Sequence, residues 1–223
     1  MQRIILVVSV VVGLLLSCAP AQNPPSVEQP DPPRQRESRT LIVAHRYEPS
    51  YLAPKVLGSN GPLTTTRLFN AALVQFDNIG TPRPYLAEAL PQLNTESWRV
   101  FPDGRMETTY RLRPNLTWHD GAPLTAEDFA FALRVYKQTD LGIFTRIPQG
   151  NIDNVLSPDA RTVVIQWKSP NPDAGTLSFG DLDPLPAHVL EAPFTDLAQG
   201  NASREGFLNH PFWTSEYLSL IHI

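Results

Sequence analysis

The chain has 223 residues, is 42% hydrophobic and carries a formal net charge of −4. This composition supports a packed core rather than an intrinsically disordered chain, and the length allows one or two domains. No basic patch runs along the sequence, which argues against a nucleic-acid partner. Cys18 is the only cysteine, so the chain cannot contain an internal disulfide.

The N-terminus predicts a secretory signal peptide over residues 1–18. Arg3 precedes an apolar run at residues 4–16, which is too short to span a bilayer comfortably as a permanent helix. Leu15-Leu16-Ser17-Cys18 resembles a bacterial lipobox, in which the cysteine thiol is diacylated and becomes the mature N-terminus. The alternative is an ordinary signal peptide with an incidental cysteine. Two acyl chains would anchor the protein stably to a bacterial membrane, in the periplasm or at the cell surface.

Residues 19–39 predict a tether between the anchor and the folded body. Six prolines lie there among Gln, Asn, Ser, Glu and Arg residues, and this composition favours an extended, semi-rigid segment with no apolar area to bury.

The folded body is predicted to begin at Thr40. The first elements expected along the chain are a buried strand at residues 41–44, a helix at 63–70, a strand at 73–76 with its turn at 77–80, and one or two helical turns at 85–90 that Pro91 stops.

The middle of the chain predicts a β-hairpin followed by a helix. Residues 98–101 and 106–112 flank a Pro-Asp-Gly turn at 102–104, and the second strand alternates between two faces. Trp118-His119-Asp120-Gly121 predicts a tight turn. Thr125-Ala126-Glu127-Asp128 predicts a helix start, as a capping-box variant whose carboxylates the helix dipole favours. Phe129, Leu133 and Tyr136 follow on one helical face.

A second hairpin is predicted around residues 157–160, with Ile152 and Val155 before it and an apolar run at 162–167 after it. Residues 170–193 predict a connection that carries one short helix at 187–191. Hairpins mixed with helices, without a regular βαβ rhythm, indicate an α/β (mixed α+β) class.

Five segments in this order resemble the family-5 extracellular solute-binding proteins, the peptide-type receptors of ABC importers. Leu41-Ile42-Val43-Ala44 with Glu48-Pro49 resembles their opening strand, and Pro84-Tyr85-Leu86-Ala87-Glu88 resembles their P-x-L-A-E segment. Tyr110-Arg111-Leu112-Arg113-Pro114 resembles their Y-x-F-x-L-R-x-G strand end, with Asn115 where Gly is usual. Residues 118–128 match nearly the whole run W-H-D-G-x-P-L-T-A-x-D, and residues 185–191 resemble the helix L-P-K-H-V-L-E.

The resemblance covers residues 40–217 and implies a periplasmic-binding-protein-like type II fold, with two lobes joined by a hinge. The chain would contain the first lobe, with a hairpin-rich subdomain inserted at about residues 63–184. The second lobe would follow. Residues 218–223 depart from the family pattern, which would continue into a G-x-G-P-Y segment, and they are expected to be a non-native tail.

Arg46, Tyr47, Glu48 and Pro49 are the candidate ligand-binding residues, because they leave the first strand where a cleft would open in the resembling fold. An extended backbone there could pair with a peptide main chain as an added strand, and Glu48 could meet an α-amino group. The alternative interpretation, that these four residues form an ordinary exposed loop, has about equal weight. Trp213 and Tyr217 are further candidates for residues that approach the cleft.

No residue pattern argues for an enzyme, a metal site or a cofactor. The five histidines lack metal-ligand spacing, so His119 and Asp120 are interpreted as parts of a turn. Glu127 and Asp128 could mimic a glycosidase pair but are interpreted as a helix start. Neither a G-x-S-x-G run nor a P-loop is present.

The expected function is that of the substrate-binding component of an ABC importer. A monomer would capture an oligopeptide or dipeptide by closure of two lobes and deliver it to the permease. The resemblance does not identify the ligand, since relatives of this fold bind nickel, heme or sugars. A structural or adhesive surface lipoprotein is the alternative.

Overall fold

The computed structural model describes Ile42 and residues 70–143 and 148–214. By its internal contacts the chain divides into Met1–Ala44 and His45–Ile223. Only Ile42 is described in the first unit, where it is exposed and outside regular secondary structure. The predicted signal peptide, the tether, the rest of the first strand, most of the helix at 63–70 and the tail at 218–223 lie outside the described residues.

The second unit contains six described strands and four described α-helices. The strands are β1 (Val74–Phe76), β2 (Pro82–Pro84), β3 (Trp98–Val100), β4 (Met106–Arg111), β5 (Ile152–Asp159) and β6 (Thr162–Trp167). The helices are α1 (Ala126–Tyr136), α2 (Ala187–Ala198), α3 (Arg204–Leu208) and α4 (Pro211–Thr214). Single 3₁₀ turns occur at Thr139–Leu141 and Gln149–Asn151. No helix among the described residues combines the length and apolar character needed to cross a membrane.

β1 and β2 form a small antiparallel hairpin that Asp77 stabilises. One carboxylate oxygen of Asp77 accepts the N–H groups of Ile79 and Thr81 at 3.1 and 2.9 Å, and the other accepts Nε of Arg83 at 3.1 Å. The turn ends at Gly80, which has a φ of 80°. Residues with a side chain rarely adopt this backbone conformation, so glycine is favoured here. The strand and turn predicted at residues 73–80 are therefore confirmed.

The main sheet has four antiparallel strands in the order β3-β4-β6-β5. Thr108 pairs with Ile165 and Tyr110 with Val163 in the two central strands. Alternate residues of β4 and β6 are buried, so one face of the sheet covers the core.

Both predicted hairpins are present in this sheet. In the first, Gly104 has a φ of 83° and Asp103 accepts the N–H of Arg105 at 3.1 Å, as Asp-Gly turn chemistry requires. In the second, β5 continues through Pro158, so the turn lies two residues later than predicted, after Asp159. β5 is an edge strand with a register shift at this point, a place where a proline costs no ladder hydrogen bond.

α1 begins where the sequence predicts. Its N-cap is Thr125, whose N–H donates to a carboxylate oxygen of Asp128 at 2.9 Å, closing the expected capping box. Phe129, Leu133 and Tyr136 are buried in the core, as their helical spacing predicts.

Two predicted elements differ from the structure. Residues 85–90 are not helical, because their backbone pairs with neighbouring segments instead: the N–H groups of Tyr85 and Ala87 donate to the carbonyl of Leu73 at 3.0 and 3.3 Å, and Ala87 bridges Leu112. The short helix predicted at 187–191 continues to Ala198 as α2, since Phe194 and Leu197 on its later turns are buried. Pro193 lies inside this helix.

Two buried tyrosines join the irregular connection after β6 to the sheet and α1. Tyr110 donates its hydroxyl to the carbonyl of Ala174 at 2.7 Å, and Tyr136 donates to the carbonyl of Asp183 at 2.8 Å. Within the sheet, Nε1 of Trp167 donates to Oγ1 of Thr108 at 2.9 Å. The long segment before α2 is thus held by specific hydrogen bonds to the core.

Candidate functional site

The residues predicted to bind ligand, Arg46, Tyr47, Glu48 and Pro49, lie outside the described residues, as do Cys18 and Tyr217. Trp213 is described and is only 1% exposed. Its ring packs edge-on against Phe207 and Phe212, with ring centroids 5.7 and 4.6 Å away. Trp213 is therefore part of the core of the described region.

Trp118-His119-Asp120-Gly121 forms the predicted tight turn. The N–H of Gly121 donates to the carbonyl of Trp118 at 2.9 Å, and Gly121 has a φ of 88°. The carboxylate of Asp120 accepts a hydrogen bond from the N–H of Ala122 at 3.0 Å, so the side chain of Asp120 also stabilises the turn.

Asp120 also contacts α2 through His188. Its second oxygen lies 2.8 Å from Nε2 of His188. Partial burial works to raise the pKa of Asp120, but the hydrogen bonds from His188 and from the Ala122 N–H outweigh it, and this pKa lies below its ordinary value. No group of three His, Cys, Asp or Glu side chains in the described ranges could hold a metal ion.

Asp128 is the buried carboxylate at which three segments of the chain meet. It is 4% exposed, and one oxygen accepts both the Thr125 N–H and Nε1 of Trp118, the latter at 3.3 Å. The other oxygen accepts the N–H of Ala187, at the start of α2, at 2.9 Å. The same residue joins the tight turn, α1 and α2.

Burial raises the pKa of Asp128, and its three hydrogen-bond donors oppose that rise. Both carboxylate oxygens accept hydrogen bonds from the protein and the side chain is buried, so Asp128 has a structural role in the described region. The interpretation of Glu127 and Asp128 as a helix start is therefore confirmed by their contacts, and the motif of residues 118–128 is a structural unit in this part of the chain.

A pocket beside the β1–β2 hairpin is the candidate ligand-facing site of the described region. It has a cavity volume of about 60 Å³. Its lining residues come from three separate stretches and none of them is charged: Asn70, Ala72, Val74, Gln75, Phe76, Tyr85, Ser178 and Phe179. The cavity could receive a small apolar or uncharged polar group.

Backbone pairing fixes this pocket. The N–H of Val74 donates to the carbonyl of Leu177 at 3.0 Å, which brings the connection before α2 against β1. Ser178 is held in turn by Asp181, whose carboxylate accepts the Ser178 N–H at 2.8 Å. Phe76, at the end of β1, leaves 42% of its surface exposed at the rim.

Sequence reasoning predicted the strand that contains Phe76 but missed the pocket. Its walls lie about a hundred positions apart in sequence, and the hydrogen bond between Val74 and Leu177 joins them. The one local signal was an aromatic residue directly before an Asp-Asn turn, on a strand whose other residues are apolar or amide.

Residues 88–217 match the family model of the bacterial extracellular solute-binding proteins, family 5. A Brucella ovis protein named as an ABC transporter peptide-binding protein is 29% identical over 134 residues, which are 60% of this chain and 24% of that protein. The periplasmic oligopeptide-binding protein OppA of Escherichia coli is 26% identical over 72% of this chain and 26% of its own length. A second Escherichia coli protein, YgiS, named as a deoxycholate-binding periplasmic protein, is 28% identical over 64% of the chain and 28% of its length. The chain spans about a quarter of the length of these relatives.

Solved structures share the fold at lower identity. The oligopeptide-binding protein of Thermus thermophilus, complexed with a pentapeptide, superposes with a TM-score of 0.63 and 22% identity over 78% of this chain and 33% of that one. AppA of Bacillus subtilis, in complex with a nonapeptide, gives a TM-score of 0.53 and 17% identity over 74% of this chain and 30% of that one. The described region thus has the fold of one part of a two-lobed periplasmic binding protein.

Proposed function

Because the chain belongs to the bacterial extracellular solute-binding proteins, family 5, we propose that it is part of the substrate-binding component of an ABC importer. The protein captures oligopeptides or dipeptides outside the cytoplasmic membrane and delivers them to the permease. The family match over residues 88–217 carries this proposal. The relatives named as peptide-binding proteins support peptide as the ligand class.

Within this proposal, residues 63–184 form a subdomain inserted in the first lobe, and the body extends over residues 40–217. Arg46, Tyr47, Glu48 and Pro49 contact the ligand where the first strand ends. Their backbone pairs with the peptide main chain, and the carboxylate of Glu48 binds the α-amino group.

The location proposed for the protein is the periplasm or the cell surface. A diacylated Cys18 anchors it to a bacterial membrane, and residues 19–39 act as the spacer. It works there as a monomer, since one closed pair of lobes suffices to enclose a solute.

Peptide capture is tested by thermal unfolding of the protein with peptide pools of defined length. A ligand at about 100 times its dissociation constant stabilises the folded state by about 2.7 kcal/mol, which raises the melting temperature by several degrees. A shift with peptides supports the proposal. A shift with bile salts alone would transfer the assignment to another solute class, and no shift with any solute would favour the structural or adhesive surface lipoprotein.

Glu48→Gln tests the contact with the α-amino group. We expect peptides with a free N-terminus to bind about tenfold more weakly, and N-acetylated peptides to bind as they do to the unsubstituted protein. Glu96→Gln is the matched control, because Glu96 is exposed and the charge change is the same. Equal loss in both variants would contradict a specific role for Glu48.

A further inference from the structure

The edge of β1 that faces away from β2 carries backbone groups of known direction. The carbonyl of Leu73 and the N–H of Asp77, which flank β1, each form a hydrogen bond of 3.0 Å with a residue that flanks β2. In an antiparallel ladder, backbone groups point alternately to the partner strand and to the opposite side. Val74 and Phe76 therefore direct their N–H and C=O groups away from β2.

Only the first of these two residues is paired along that edge. The N–H of Val74 donates to the carbonyl of Leu177 at 3.0 Å, as its direction requires. The pairing does not continue along the strand, because no group among the described residues bonds to the N–H or C=O of Phe76. An unpaired N–H and C=O on a strand edge are the groups with which an extended peptide pairs as an added strand.

The pocket beside the hairpin lies on this edge. Val74 and Phe76 line it from β1, and Ser178 and Phe179, which directly follow Leu177, line it from the connection before α2. Residues that pair across two strands direct their side chains to the same face of the sheet. A peptide residue paired with Phe76 therefore directs its side chain to the face on which Phe76 lines the pocket.

Size and charge limit the side chain that this pocket accepts. The cavity of about 60 Å³ has room for about two to four non-hydrogen atoms. None of its lining residues is charged, and an ionised group buried without an opposite charge is unfavourable. The neighbouring carboxylate of Asp77 is already paired with Arg83. The pocket thus fits the side chain of serine, threonine or valine and excludes those of aspartate, lysine and phenylalanine.

We propose that the free edge of β1 pairs with the main chain of the transported solute, and that the pocket beside it selects a small uncharged side chain. The N–H and C=O of Phe76 pair with one residue of the solute, whose side chain enters the pocket between Phe76 and Phe179. This inference rests on the proposed function, because it takes the solute to be a peptide. It adds selectivity at one position of the peptide, which a contact between Glu48 and the α-amino group does not provide.

Calorimetric titration of the full chain with alanine pentapeptides tests the selectivity. One position at a time is replaced by glycine, valine, phenylalanine, aspartate or lysine. At one position we expect valine to bind about tenfold more tightly than glycine, and the two charged residues and phenylalanine to bind more weakly than glycine. N-methylation of the peptide amide at that position removes the donor to the carbonyl of Phe76 and is expected to weaken binding by about tenfold.

The outcomes separate this inference from the proposed function. A protein that binds none of the peptides overturns the proposed function, and this inference with it. Peptide binding that is equally strong for all of these side chains at every position overturns the selectivity of the pocket alone. Unchanged affinity after N-methylation at the selective position overturns the pairing with Phe76.

Two substitutions with opposite effects assign the selectivity to this pocket. Ala72 lines the cavity, so Ala72→Val fills part of it, and we expect the preference for valine over glycine to disappear. Phe179→Ala enlarges the cavity and is expected to strengthen binding of the phenylalanine peptide by about tenfold. Ala89→Val is the control for Ala72→Val, because Ala89 is exposed and lies outside the pocket. Circular dichroism verifies folding. The same selectivity in both pocket variants as in the unsubstituted protein, or its loss in Ala89→Val, overturns the proposal.

Discussion

Asp128 shows how one residue of the family motif stabilises three segments at once. In the Asp128→Asn variant only one of the two side-chain oxygens remains as an acceptor. The other is replaced by an N–H₂ group, which faces a hydrogen-bond donor of the protein instead of an acceptor. We expect it to lower the free energy of unfolding by about 1–3 kcal/mol, since at least one buried donor loses its partner. Urea denaturation measures the change.

Glu127→Gln is the matched control for Asp128, because it makes the same chemical change one position earlier on the same helix. Glu127 contacts Arg134 and Ser157 at the surface, where about half of its side chain is exposed. Its loss is expected to cost less than about 1 kcal/mol. Equal effects of the two substitutions would show that Asp128 does not have the structural role described above.

Gly175 is required by the close approach of an aromatic ring. A Cβ at this position would lie 2.7 Å from Cζ3 of Trp98. The indole ring cannot easily move away, because its Nε1 donates a hydrogen bond to the sulfur of Met106 at 3.0 Å. Gly175→Ala is expected to destabilise the protein by about 1–3 kcal/mol through overpacking. Gly206→Ala in α3 is the control, since its nearest neighbour is 3.5 Å away, and thermal unfolding should show no loss there.

At the scale of elements, α2 continues through Pro193 because its buried side chains outweigh a local penalty. Pro193 lacks the N–H that would donate to the carbonyl of Val189, and proline in a helix interior costs about 3 kcal/mol relative to alanine. Pro193→Ala is therefore expected to stabilise the protein by about 1–3 kcal/mol in urea denaturation. Pro158→Ala, on the edge strand β5, should change it by less than about 0.5 kcal/mol. A destabilised Pro193→Ala would contradict this explanation.

At the scale of the whole molecule, the proposed anchor depends on one sulfur atom. Cys18→Ser removes the thiol that would be acylated, so we expect the protein to leave the membrane fraction. Ser17→Ala keeps a small residue before the cut and should leave the protein membrane-bound. Fractionation, with mass spectrometry of the N-terminal peptide, measures both. A serine variant that stays in the membrane would contradict the lipoprotein hypothesis.

Local sequence was sufficient for the two hairpins, the tight turn at Trp118 and the start of α1. These features depend on residues within a few positions of one another, such as Asp103 with Gly104 or Thr125 with Asp128, and their chemistry is fixed before the chain folds. The order of motifs also identified the family, which the match over residues 88–217 confirms.

Only the tertiary structure decided the features that depend on distant contacts. Residues 85–90 have a helix-like composition, yet they pair with Leu73 and Leu112 because backbone partners from elsewhere in the chain are within reach. The pocket beside β1 and the hydrogen bond from the N–H of Ala187 to Asp128 likewise join segments that are far apart in sequence. Burial and hydrogen bonding between such segments act only once the chain has packed, so residue spacing alone could not show them.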